Sequence, residues 1–383
     1  MGLLGGFGIG RWFGFPIRID YSWFLVAALV VWTFSMHEFP RQLPGLSDTL
    51  YLAMGISAAL LFFVSVLLHE LAHAIVARAR GIPVDGIILF IFGGIAQARE
   101  EAERPIDEFL LTAAGPLCSV ALAGVFFGVE RLVGALGGPE PVSAVLGFLA
   151  LLNFVLAVFN MIPGFPLDGG RIFRSAVWAA TGDLDKATRW ATWGGRAFGT
   201  LLIVFGAAQL FFGLLLAGLW SAFIGWFLTN AATSSYRQFR VRRMLSRIPV
   251  SRVMAVRPAL IPPELPLDRF VDEYLVRRLE EAYPVVMSGA VLGLVGVGDV
   301  TRVPAGLRAS TTVGQVMRPT YEVPVARRDD SLAEIVAKLD GENASVLVLE
   351  GDRLVGMLSL GDVRGWIQRL HRLGLAGDAG EAA

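Results

Sequence analysis

From Thr49 to Leu68 the chain carries no charge, and it then runs directly into His69-Glu70-Leu71-Ala72-His73. A helix needs about 20 apolar residues to cross a bilayer core about 30 Å thick, so this string stands on a helix still at membrane depth. Residues four apart share one helix face, so His69 and His73 can present both imidazoles to a single metal ion. Glu70 stands beside them, where a carboxylate can take a proton from an attacking water. Ionisable side chains are costly at that depth and persist mainly where they serve a function.

The composition agrees with a membrane protein that has a soluble portion attached. Hydrophobic residues make up 55% of the chain and charged residues only 17%, against about a quarter charged in soluble proteins. Basic and acidic residues balance at 33 each, which argues against nucleic acid as a partner. Cys118 is the one cysteine, so a disulfide framework and a multi-thiolate zinc site are both excluded.

Six spans are expected. The first covers about Tyr21 to Met36, with no cleavage site after it, followed by an external loop containing His37. The second, 50–77, holds the histidine pair near its far end; Phe109–Val129 and Val142–Leu167 are the third and fourth. Ala197–Tyr236 is uncharged throughout; as one helix it would be about 60 Å long, twice a bilayer core, so it should fold back as two spans. A cytoplasmic N-terminus places fifteen basic residues inside, in the stretches 11–18, 78–104, 171–196 and 237–243, against Arg41 and Arg131 outside. That asymmetry puts both termini and the soluble tail in the cytoplasm of a multi-pass cell-membrane protein. Between spans two and three, Ile87–Ala96 is β-branched, aromatic and too short to cross, with Gly93-Gly94 near its end. It reads as a strand or hairpin, either dipping toward the membrane where protein shields it or lying in the cytoplasm.

The tail repeats itself. Val253-Met254 recurs as Val316-Met317 and Gly298-Asp299-Val300 as Gly361-Asp362-Val363, both at an offset of 63 residues, and apolar strands align at the same offset. Two β-α-β-β-α units, 249–305 and 312–370, can bury their apolar faces against each other. They follow a membrane domain at 1–245 and precede a tail, 371–383, expected to be disordered.

A third ligand for the histidine pair should be a carboxylate at membrane depth, and Asp168 is the candidate. It ends an apolar span in Asn160-Met161-Ile162-Pro163-Gly164-Phe165-Pro166-Leu167-Asp168-Gly169-Gly170, where Pro163 and Pro166 disfavour a continuous helix. His69, Glu70 and His73 fit H-E-x-x-H, and Asn160, Pro163, Asp168 and Gly169 fit N-x-x-P-x-x-x-x-D-G. A chain with both motifs resembles the site-2 protease family of intramembrane zinc metalloproteases, in particular the prokaryotic subgroup with a C-terminal tandem CBS domain. Gly93-Gly94 and Ala114-Gly115-Pro116 also fall where family members carry similar elements.

The resemblance implies a polytopic α-helical membrane protein with a short membrane-associated β element and an α/β tandem CBS tail. It implies one Zn2+ per chain on His69, His73 and Asp168, Glu70 as general base, and Asn160 holding substrate or the developing oxyanion. Gly93 and Gly94 would hold an unwound substrate by strand pairing. The substrate would be a membrane-anchored protein such as an anti-sigma factor, a pro-sigma factor or a remnant signal peptide. The CBS pair implies adenine-nucleotide binding (ATP, ADP or AMP) through an [ST]-x-x-D string, complete as Ser359 to Asp362. The first copy keeps Asp299 but has Gly296 in the hydroxyl position, and such pairs also serve as homodimer contacts. A competing reading is a non-catalytic CBS-gated transporter or pseudo-protease scaffold. Glu70 separates the two, because a scaffold needs no general base beside two histidines.

Overall fold

The computed structural model describes residues 6–90, 93–98, 102–277, 280, 282–339, 345–351 and 353–373. The chain divides into two compact units, Met1–Arg237 and Gln238–Ala383. In the first, six helical stretches are long and apolar enough to cross a membrane. The first is built from α1 (Ser22–Thr33), a π-helical turn (Phe34–Glu38) and α2 (Phe39–Gln42). His37 therefore lies in helix, where an external loop was expected. The others are α3 (Asp48–Ala79), α4 (Pro105–Ala135), α5 (Glu140–Asn160), α7 (Leu184–Phe211) and α8 (Leu215–Ser246). The long uncharged run does break in two, and Gly213 takes the left-handed conformation (φ 80°) at the break. Along α7 and α8, Gly199 lies against Gly225 and Gly206 against Gly218, the close backbone approach that small residues permit between membrane helices.

Two features depart from the expected layout. The fourth span stops at Asn160 and not at Leu167, and Asp168 opens a further helix, α6 (Asp168–Thr181), closed by Gly182 in the left-handed conformation. Second, the β element is larger than a hairpin. Strands β1 (Gly6–Trp12), β2 (Phe15–Asp20), β3 (Val84–Phe90) and β4 (Gly93–Ala98) form one sheet in that order. The β2–β3 pair is parallel, with Ile17 opposite Ile87 and Ile19 opposite Leu89. Phe15, Ile17, Ile87 and Leu89 are buried against Leu67, Leu71 and Ala74, one face of α3, so the sheet lies along the histidine helix. Ser22 closes the passage from β2 into α1; its hydroxyl and then its N–H hold the Asp20 carboxyl below the usual carboxylate range. Ile91 and Phe92, between β3 and β4 in the sequence, lie outside the described residues.

The second unit shows the repeat directly. A short helix α9 (Leu267–Phe270), β5 (Ala282–Met287), β6 (Ala290–Gly296) and α10 (Val297–Thr301) make up the first copy. After α11 (Val313–Val316), β7 (Arg318–Pro319) and β8 (Val325–Ala326) come α12 (Leu332–Lys338), β9 (Ser345–Glu350), β10 (Arg353–Ser359) and α13 (Leu360–Arg372). Strands β5 and β6 map onto β9 and β10 at the 63-residue offset. The entering segments cross over: Arg318 pairs with Leu294 of β6, while Ala255 bridges to Met357 of β10. Each copy thus completes the other's sheet, which is why two are needed to close a core. α13 runs two residues into the expected tail, and 374–383 lie outside the described residues.

Candidate metal centre

α3 starts cleanly because Ser47 caps it, accepting from the Leu50 N–H, and Asp48 occupies its first turn. One turn separates His69 from His73 on its inner face, and both are buried. Asp168 comes from the start of α6, and its Oδ2 lies 3.1 Å from His69 Nε2 and 3.3 Å from His73 Nε2. Two ligands each about 2.0–2.1 Å from a tetrahedral ion would lie about 3.3 Å apart, so the spacing suits one zinc ion. The three ligand atoms fall within 4.8 Å of one another, close enough for one ion to reach all three.

The far side of each imidazole is also held. His73 Nδ1 donates to the Leu111 carbonyl at 2.7 Å, and His69 Nδ1 lies 2.8 Å from Ser119 Oγ. Such partners fix the ring orientation and leave Nε2 free for a metal. Leu111 and Ser119 both belong to α4, and so does Gly115, where a methyl group would overlap Nε2 of both histidines. Glycine there keeps the converging nitrogens clear. The donor set, two imidazoles and one carboxylate, is that of a catalytic zinc site with a position left open. The residues present fit the ion.

Asp168 is delivered by an irregular segment, 161–167, that includes a cis Phe165–Pro166 bond. The helix does stop short of Pro163 and Pro166, whose rings and missing N–H groups disfavour its continuing. The segment is clamped by α7: Phe165 N–H donates to the Ala191 carbonyl at 3.1 Å, and any side chain at Gly194 or Gly195 would collide with the backbone of residues 163–165. Glu70 lies against Gly94 of β4, closely enough that a Cβ at Gly94 would overlap its side chain. Gly93 takes φ 126°, open to glycine alone. Asn160 is not drawn into this cluster among the described residues; its amide donates to the Leu156 carbonyl at 3.0 Å.

The model of Peptidase family M50 matches residues 57–137 and 138–204, which hold every residue of this cluster. Rip3 from Mycobacterium tuberculosis is 32% identical over 358 residues, 93% of this chain and 91% of its own. The chain belongs to the site-2 protease family, M50.

Other members match shorter stretches of the chain. The zinc metalloprotease MJ0392 of Methanocaldococcus jannaschii is 29% identical over 79% of this chain and 83% of its own. The solved site-2 protease of that organism aligns at 26% identity over 59% of this chain and 95% of its own, with a TM-score of 0.40. A CBS domain model matches 313–369, the second tail copy. This M50 protein is thus a zinc metalloprotease, multi-pass in the membrane, with a CBS tail.

In that tail the carboxylates of Asp362, in the complete [ST]-x-x-D string, and of its repeat equivalent Asp299 are engaged locally. Asp362 Oδ2 accepts from Ser359 Oγ at 2.7 Å and from Ser359 N–H at 2.9 Å, while Ser359 Oγ accepts from Asp362 N–H at 3.1 Å. This is a capping box at the start of α13. Asp299 is buried, accepts from Gly296 N–H at 2.9 Å and lies 3.5 Å from Arg318. The repeat equivalent of Arg318 is Ala255, so the copies differ in charge at this point. Leu111, Ser119 and the α7 glycines escaped sequence reading. Only the Ala114-Gly115-Pro116 string hinted that α4 belonged to the site.

Proposed function

We propose that this M50 protein is a cytoplasm-facing intramembrane endopeptidase that cuts a membrane-anchored protein within or beside its transmembrane segment. The observation that carries the reading is the convergence of His69, His73 and Asp168 with Glu70 on the next position of the same helix. His69, His73 and Asp168 hold zinc, which supplies Lewis-acid polarisation of the scissile carbonyl and a more acidic water. Glu70 takes a proton from the attacking water and passes it to the departing nitrogen, so its carboxylate is restored each turnover. Asn160, at the end of α5, holds substrate or the developing oxyanion once its amide leaves the Leu156 carbonyl.

A membrane helix hides its amides in its own hydrogen bonds, so the substrate must be unwound before attack. β4 is an edge strand of the sheet, and Gly94 lies against Glu70. A substrate paired to that edge through Gly93 and Gly94 would run past the base in extended form. Suitable substrates are an anti-sigma factor, a pro-sigma factor or a remnant signal peptide. The CBS pair acts as a cytoplasmic regulator, taking ATP, ADP or AMP mainly beside Asp362, or as a homodimer contact.

Two experiments test this. Membrane-anchored proteins that accumulate in cells carrying Glu70→Gln, and not in wild-type cells, are the substrates; no difference between the two would sink the endopeptidase reading. Reporter fusions at Gly138 and Arg243 should give opposite signals, since the basic residues place the first outside and the second inside.

A further inference from the structure

We propose that the buried ion pair between Glu108 of α4 and Arg174 of α6 is a positioning device for the metal centre, fixing the rotation and height of α6 and hence the place of Asp168. The inference rests on reading His69, His73 and Asp168 as the metal ligands. Asp168 is the first residue of a helix of only 14 residues that follows an irregular segment. A carboxylate stands about 5 Å from its helix axis, and metal–ligand distances are held to about 0.2 Å. A rotation of α6 by about 2° would therefore move the ligand by its whole tolerance.

Glu108 and Arg174 lie where such a rotation is sensed. They are 1% and 7% exposed, respectively. Arg174 Nε donates to Glu108 Oε1 at 2.8 Å and its Nη2 donates to the same oxygen. Arg171 Nε, one turn closer to Asp168, lies 3.6 Å from that oxygen. The Arg174 guanidinium also covers the Phe165 ring at 5.3 Å, inside the segment that delivers Asp168. One residue away on α4, Asp107 binds Arg80, the residue that caps the C-terminus of α3, at 2.7 Å. The first turn of α4 thus holds both ligand-bearing helices, while later turns orient the imidazoles through Leu111 and Ser119.

Stability alone is a poor account of the pair. A buried ion pair is commonly replaced by neutral residues of similar size at little cost, because desolvation offsets the attraction. Here the second oxygen, Glu108 Oε2, is buried with no hydrogen-bond partner among the described residues, which adds to that cost. What the charged pair does supply is direction, since two guanidinium N–H groups of Arg174 converge on one buried oxygen of Glu108 and fix the planar head in few orientations.

The test compares full-length wild type, Arg174→Lys and the neutral double variant Glu108→Gln/Arg174→Met, all purified in detergent. Zinc release to excess chelator, melting of the metal-free protein and the absorption bands of the Co2+-substituted form are recorded. The double variant should melt with the wild type when metal-free, release zinc at least about tenfold faster and show displaced cobalt bands. Arg174→Lys should fall between, because an ammonium lacks the fork. Zinc release within twofold of wild type, with unchanged cobalt bands, overturns the proposal. So does a metal-free melting loss in the double variant, which would make the pair a plain stabiliser. Failure of the ligand reading looks different: His69→Ala would then hold as much zinc as wild type.

Discussion

Asp168 in the membrane unit and Asp362 in the C-terminal unit both occupy the first turn of a helix, yet their carboxylates turn in opposite directions. Asp362 turns back on its own helix, where Ser359 donates to it through both N–H and hydroxyl. Asp168 turns outward to two imidazoles, and Leu167 at the cap of α6 offers no side-chain bond in its place. A capping side chain is worth about 0.5–2 kcal/mol to its helix. That accounts for Asp362 without any ligand, whereas helix stability does not account for where Asp168 points. Asp299 resembles Asp362 in capping, but also faces Arg318, so its charge is partly neutralised within the fold.

The contrast can be broken most sharply at Glu70. Glu70→Gln should retain about one zinc per chain and lose cleavage by about 10²–10⁴-fold, the usual worth of a general base. Activity near wild type would remove Glu70 from the chemistry. Next is Asp168→Ala, which should lose the metal while the metal-free protein keeps its melting temperature; full zinc occupancy by metal analysis would show the outward carboxylate to be incidental. Ser119→Ala, which strips the His69 ring of its partner, should weaken zinc affinity about 10–100-fold, read by competition with a chelator. The smallest effect belongs to the tail. Asp362→Ala should lower the stability of the C-terminal unit by about 0.5–2 kcal/mol with no nucleotide present, and calorimetry on the full chain should show weaker ATP or AMP binding than Asp299→Ala does. Equal binding by both variants would erase the proposed difference between the copies.

Much of this was legible beforehand, and for local reasons. His69 and His73 share a face through helical periodicity alone, and the proline pair at Pro163 and Pro166 announced the break before Asp168. The strand limits of the tail follow the 63-residue offset because each copy repeats the same alternation. α6 was missed because Pro163 and Pro166 interrupt an apolar run that continues to Leu167, and helix resumes only at Asp168. The join of the antiparallel β1–β2 hairpin to β3 was missed because β2 finds that partner more than sixty residues later, and a parallel pairing of that kind leaves no turn signal.

By itself, the sequence determined the number of spans, the two motifs that mark the family, and the twofold tail, since each depends on composition or spacing along the chain. Tertiary structure alone decided that α4 would flank the candidate metal centre, with Gly115 clearing the imidazole nitrogens, Leu111 and Ser119 bonded to the rings, and Glu108 bound to Arg174 of α6. It also decided that Asn160 bonds to its own helix and that Asp362 caps α13. The physical reason is the same in each case: a carbonyl, a glycine or a carboxylate takes its role from the atoms opposite it, and those are set by packing between segments far apart in the chain.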